Sequence, residues 1–85
     1  MSLAATIRAY AAKIDPVAKL AFIELADWAD DLGRAPVVIS HIAEFAGCTD
    51  IDAERAVERL IKAGFVSELP NDGRGRRFVL FTEVY

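Results

Sequence analysis

Side chains with ready covalent or metal chemistry are scarce in this sequence, which holds one cysteine, Cys48, and one histidine, His41. A thiol serves as nucleophile or redox switch where its thiolate is stabilised, and Cys and His at fixed spacing hold zinc. No second Cys or His stands at ligand spacing, so no metal site is expected. Cys48 follows Gly47 at the small apolar position of a turn, where the natural role is packing. No nucleophile and base pair, phosphate-cradling glycine motif or recognisable carboxylate pair occurs. The expectation is no catalytic residue, no cofactor and no enzyme activity.

What remains is charge, concentrated in two stretches. Ala53, Ala56, Val57, Leu60 and Ile61 have helical spacing and define a buried face. That leaves Asp50, Ile51, Asp52, Glu54, Arg55, Glu58, Arg59 and Lys62 outward, with a summed charge of about −1. Further on, Arg74, Arg76 and Arg77 stand against Asp72 on a glycine-rich loop, a local charge of about +2. The first surface is mildly acidic; the second suits a polyanion.

The elements that must position these charges are bounded by length and composition. With 85 residues, 54% of them apolar and 27% charged, the chain is read as one packed domain that folds around a single core. A net charge of −3 gives no general attraction to phosphate, so any nucleic-acid role rests on a local patch. A single cysteine fits a reducing compartment. No apolar run is long enough to span a bilayer and no leader pattern opens the chain, so a cytoplasmic protein without a membrane partner is expected.

Leu3, Ile7, Tyr10 and Ile14 fall on one stripe of an N-terminal helix over residues 1–14. Asp15 and Pro16 are a favoured cap and first helical residue. The next helix runs to Leu32 with an apolar arc so wide that it must be central, and Gly33 stops it. Pro36–Ile39 suits a short strand. Ser40 caps a helix over 41–46 that buries Ile42, Phe45 and Ala46, and Gly47 turns the chain. Thr49 and Asp52 have capping-box spacing for a helix that ends at Gly64. Two strands, 65–69 and 77–82, flank a loop of turn residues. The region 40–64 thus has the layout of a helix-turn-helix.

This order resembles that of the winged helix-turn-helix domains, which makes the expected fold α+β, mainly α, with helices packed on a small antiparallel hairpin and an extra N-terminal helix. The resemblance lies in ISHIAEFAGCTDIDAERAVERLIKAGFVSELPNDGRGRRFVLFTE, residues 39–83. Gly47-Cys48-Thr49 resembles the family's turn, and Leu60 to Val66 its run from recognition helix to wing. Asp72 to Arg77 followed by Leu80-Phe81-Thr82 is similar to the wing of MarR-like regulators and phage replication-type winged helices. The resemblance implies DNA as partner. The helix from Thr49 to Ala63 would enter the major groove with Ile51, Arg55, Arg59 and Lys62, and the loop over 71–76 would touch phosphate or minor groove with Arg74 and Arg76, beside Arg77. His41, in a helix first turn, would lie near phosphate.

Each assignment has a structural alternative. Asp50, Asp52 and Glu54 in a first turn stabilise the helix through its dipole without meeting a ligand. Arg55 and Arg59 can pair with Glu58 or Glu54, and the arginine loop can be a solvated hairpin tip. Trp28, Tyr10 and Phe22 could line a ligand pocket, though aromatics at helical spacing usually form core. The surplus of apolar residues in the first two helices points to a homodimer through the N-terminal helices. The function expected is that of a transcriptional regulator or a phage or plasmid replication-type factor. The alternatives are a protein-interaction module whose acidic helix face meets a basic partner, and a fragment of a longer protein carrying a sensor or enzyme domain.

Overall fold

Asp15 and Pro16 start the helix on which the others pack. The computed structural model describes residues 3–71, 73 and 75–80. In chain order these form α1 (Leu3–Ala11), α2 (Pro16–Trp28), β1 (Arg34–Pro36), α3 (Ile39–Ala46), α4 (Asp50–Lys62), β2 (Val66–Glu68) and β3 (Arg77–Leu80). The class is α+β, mainly helical, with a small antiparallel sheet. No helix of the described residues is long and apolar enough to cross a membrane.

Asp15 caps α2 by accepting the Ala18 N–H at 3.0 Å, and Pro16 takes the first turn, where its missing N–H costs nothing. Ala18, Ala21, Phe22, Leu25 and Ala26 are buried, and α2 packs against α1, α3, α4 and β1. The helix is central, as its wide apolar arc predicts. It ends at Trp28 rather than Leu32, because Asp30 folds the following residues into a turn. Its Oδ1 accepts the N–H groups of Leu32 and Arg34, each at 2.9 Å. Gly33 completes that turn at φ 77°, a conformation costly for residues with a Cβ.

The turn delivers β1 earlier than expected, at Arg34–Pro36 instead of 36–39. The sheet order is β1-β3-β2, all neighbours antiparallel, with Ala35 opposite Phe78 and Val66 opposite Leu80. Those four side chains are buried against the helices. Pro36 is tolerated because β1 is an edge strand.

Val38, not Ser40, is the N-cap of α3, without a side-chain bond; Ser40 lies within the helix. α3 buries Ile42 and Ala43, whereas Phe45, expected in the core, is 48% exposed beside Tyr10 and Ile23. Gly47 ends α3 in the left-handed conformation at φ 70°. Thr49 Oγ1 then accepts the Asp52 N–H at 3.1 Å, which is the Thr49 half of the predicted capping box. Ala53, Ala56, Val57 and Leu60 form the buried face of α4, while Ile61 is partly exposed at its margin.

α1 ends at Ala11 rather than at residue 14, so Ile14 lies beyond the helix, half-buried against the core, and the rest of the predicted stripe faces outward. Alanines 5 and 9 meet the core, while Leu3, Ile7 and Tyr10 are 71%, 57% and 62% exposed.

Candidate functional site

The exposed surface of α4 divides by helical geometry. Ile51, Arg55, Glu58 and Lys62 are spaced four, three and four residues apart, which aligns them on one stripe opposite the buried face. All four are exposed, and among the described residues Arg55, Glu58 and Lys62 are in no ion pair. The stripe sums to about +1. Asp50 and Asp52 stand in the first turn of α4, beside the helix's positive end.

The other charged residues of α4 leave the stripe sideways. Arg59 does not pair with Glu54 or Glu58; its Nε donates to Asp15 Oδ2 at 2.9 Å. Asp15 therefore both caps α2 and ties it to the C-terminal half of α4. The Ala18 N–H, then the Arg59 guanidinium, hold its carboxyl below the usual aspartate value. Sequence spacing gives no warning of this pair, whose members lie 44 residues apart.

Glu54 leaves on the opposite side, toward the β2–β3 connection. Arg76 Nη1 donates to both of its carboxylate oxygens, while Arg76 Nε donates to Glu68 Oε2 at 3.3 Å. The same guanidinium lies 5.6 Å from the centroid of the Phe78 ring, within cation–π range. The backbone fixes this arrangement, because the Arg76 carbonyl accepts the Val37 N–H at 2.9 Å. Glu54 and Glu68 raise the Arg76 pKa above the usual arginine value.

The structure thus divides the arginines expected to form one basic tip. Arg76 turns onto α4 and β2. Arg77, half-buried on β3 opposite Pro36, lines a separate pocket with Trp28, Asp30 and Arg34. Successive residues of an extended chain point to opposite faces, which accounts for the split. Arg74 and Asp72 lie outside the described residues.

His41 is exposed on α3 and stacks with Trp28, the ring centroids 6.5 Å apart. Glu24, which accepts the Trp28 indole N–H, and Glu68 are partners that sequence reasoning did not single out, and Asp15 was expected only as a helix cap. For Glu68 a signal existed, since a hairpin register brings the end of β2 near the start of β3. Cys48 is half-buried against the core, consistent with a packing role. Among the described residues no group of three or more His, Cys, Asp or Glu could hold a metal ion.

No protein-family model matches the chain, and no curated protein matches it.

Proposed function

We propose that the chain is a winged-helix domain that binds duplex DNA, laying α4 in a major groove and the β2–β3 connection against the neighbouring backbone. The observation that carries this reading is the outward stripe of Ile51, Arg55, Glu58 and Lys62, with two exposed cations in no ion pair among the described residues. Glu54, which made α4 look hostile to phosphate, is bound to Arg76 at the side of the helix. The order of the helices and the strand order β1-β3-β2 support the winged-helix assignment. A role in transcription control or in phage or plasmid replication follows from the same resemblance.

With Arg76 held by Glu54 and Glu68, Arg55 and Lys62 offer about two phosphate contacts, a salt slope of about −1.8 and weak binding by one copy. A second copy supplies the missing contacts. The outward Leu3, Ile7 and Tyr10 of α1 form the apolar face through which two copies pair.

Fluorescence anisotropy of a labelled duplex at low salt tests the proposal. Wild type binds, and Arg55→Ala/Lys62→Ala binds at least tenfold more weakly, each lost phosphate contact reducing the salt slope by about 0.9. Failure of the wild type to bind any duplex at low salt sinks it. A second reading, an acidic face that meets a basic protein, is favoured by the neutralisation of Arg76 by Glu54 and Glu68 and by the exposure of Asp50 and Asp52. On that reading Asp50→Asn/Asp52→Asn weakens capture by a polylysine column while Arg55→Ala does not.

A further inference from the structure

We propose that α4 reads thymine and cytosine: Ile51 meets the thymine 5-methyl group, and Glu58 accepts from the cytosine N4 amino group. This assignment rests on the proposed placement of α4 in a major groove. Along a helix each residue turns about 100°, so residues seven apart return to within about 20° of the same line. Ile51 and Glu58 therefore share one row, and Arg55 and Lys62 share a second row about 40° away. Glu54, held by Arg76 of the β2–β3 connection, falls on the side of the first row. Arg59, bound to Asp15, falls on the side of the second. The row of Ile51 and Glu58 thus lies between the cations and the β2–β3 connection.

The two rows differ in chemistry. Arg55 and Lys62 are exposed cations in no ion pair among the described residues, which suits phosphate. Ile51, 67% exposed, gains nothing from phosphate, and the exposed Glu58 carboxylate is repelled by it. Glu58 is in no ion pair among the described residues either, although Arg55 stands one helical turn away. A single exposed isoleucine is ordinary. One aligned with an unpaired carboxylate on the outward face of a groove-bound helix has the base edges as its remaining surface.

Base chemistry narrows the partners. In the major groove the thymine 5-methyl is the apolar group, and the amino groups of cytosine and adenine are the donors. Adenine sets its N7 acceptor beside the amino group, where it repels a carboxylate, whereas cytosine presents the donor alone. Ile51 and Glu58 are about 10 Å apart along the helix axis, so they meet different base pairs. Phosphate contacts are the same for every sequence, which leaves the choice of site to these two side chains.

The full chain is used to select from a pool of short random-sequence duplexes at low salt. The enriched duplex is then resynthesised with deoxyuridine in place of thymidine, which removes only the methyl groups. Wild type is expected to enrich sites containing thymine and cytosine, and to bind the uracil duplex about fourfold more weakly per thymine contacted. Ile51→Ala should bind the two duplexes alike, which separates the lost contact from any change in duplex shape. Glu58→Gln should move the preference from cytosine to adenine, whose N6 and N7 suit an amide. Both variants retain the wild-type circular dichroism. Equal wild-type affinity for the thymine and uracil duplexes, or an unchanged cytosine preference in Glu58→Gln, overturns the base assignment and leaves duplex binding in place. Failure of the wild type to bind any duplex overturns both.

Discussion

Arg76 reaches across 22 residues of sequence to donate through one nitrogen, Nη1, to both oxygens of Glu54, at 3.0 and 2.9 Å. The loop entering β3 is thereby fastened to α4, and the carboxylate occupies the cation that a phosphate would seek. Both partners are partly exposed, so the pair contributes modestly to stability. A double-mutant cycle of Glu54→Ala and Arg76→Ala should give a coupling of about 0.5–1 kcal/mol by chemical denaturation. In duplex titrations the two residues should act in opposite directions: Glu54→Gln leaves Arg76 held by Glu68 alone and tightens binding, while Arg76→Ala weakens it. Equal effects of the two changes on DNA affinity would remove Arg76 from the interface.

Asp15 couples a helix cap to a long-range ion pair, which makes it a contributor to acid sensitivity. Its pKa is lowered by the Ala18 N–H and by Arg59. A carboxyl with a depressed folded-state pKa stabilises the fold above its unfolded value, and that stabilisation is lost as pH falls through the folded value. Asp15→Ala should therefore cost about 1 kcal/mol at neutral pH. The gap from wild type should close on acidification from about pH 4 downward. Urea denaturation at neutral and acid pH checks both; a gap that persists in acid would assign the effect to packing alone.

Two glycines with similar dihedrals should respond unequally to alanine. Gly33 and Gly64 have φ of 77° and 81°. A Cβ on Gly64 meets nothing within 4 Å, whereas one on Gly33 would sit 2.9 Å from the Leu80 carbonyl oxygen. Gly33 also accepts the Leu80 N–H at 2.7 Å, so the clash lies in the sheet's own pairing. Gly64→Ala should cost about 1–2 kcal/mol from the left-handed backbone alone, and Gly33→Ala should cost more. Thermal unfolding of the two variants side by side decides the ranking.

The elements were legible where a local rule governs them. Asp15-Pro16 marked the start of α2, Gly47 the end of α3 and Thr49 the cap of α4, because caps and left-handed turns involve neighbours in sequence. The same logic misplaced the end of α2 and the start of β1. Asp30 offers two carboxylate oxygens to the turn that follows it, and periodicity carries no sign of a side chain capturing backbone N–H groups. The outward position of Phe45 was illegible for a related reason: Phe45 fits the apolar spacing of α3 but borders the groove with Tyr10 and Ile23 rather than the core. In the candidate site, the residues of α4 could be set on faces by spacing, yet their partners could not. Arg59 with Asp15, and Arg76 with Glu54, are products of tertiary packing.

The outward stripe of α1 makes a prediction about assembly. Leu3, Ile7 and Tyr10 remain exposed while alanines face the core, so replacing them should leave the monomer fold intact. Ile7→Lys/Tyr10→Lys is expected to shift the sedimentation coefficient from dimer to monomer and to weaken duplex binding, with an unchanged circular dichroism spectrum. A wild type that sediments as a monomer at high concentration would refute pairing through α1.

The most direct test of the account is an NMR titration of the protein, isotope-labelled, with a short duplex at low salt. Chemical-shift changes should concentrate on Ile51, Arg55, Glu58 and Lys62 and on the β2–β3 connection around Arg76, and should diminish as salt rises. Shifts confined to other surfaces, or no shifts at the lowest salt, would contradict the assignment of α4 as a DNA-binding helix.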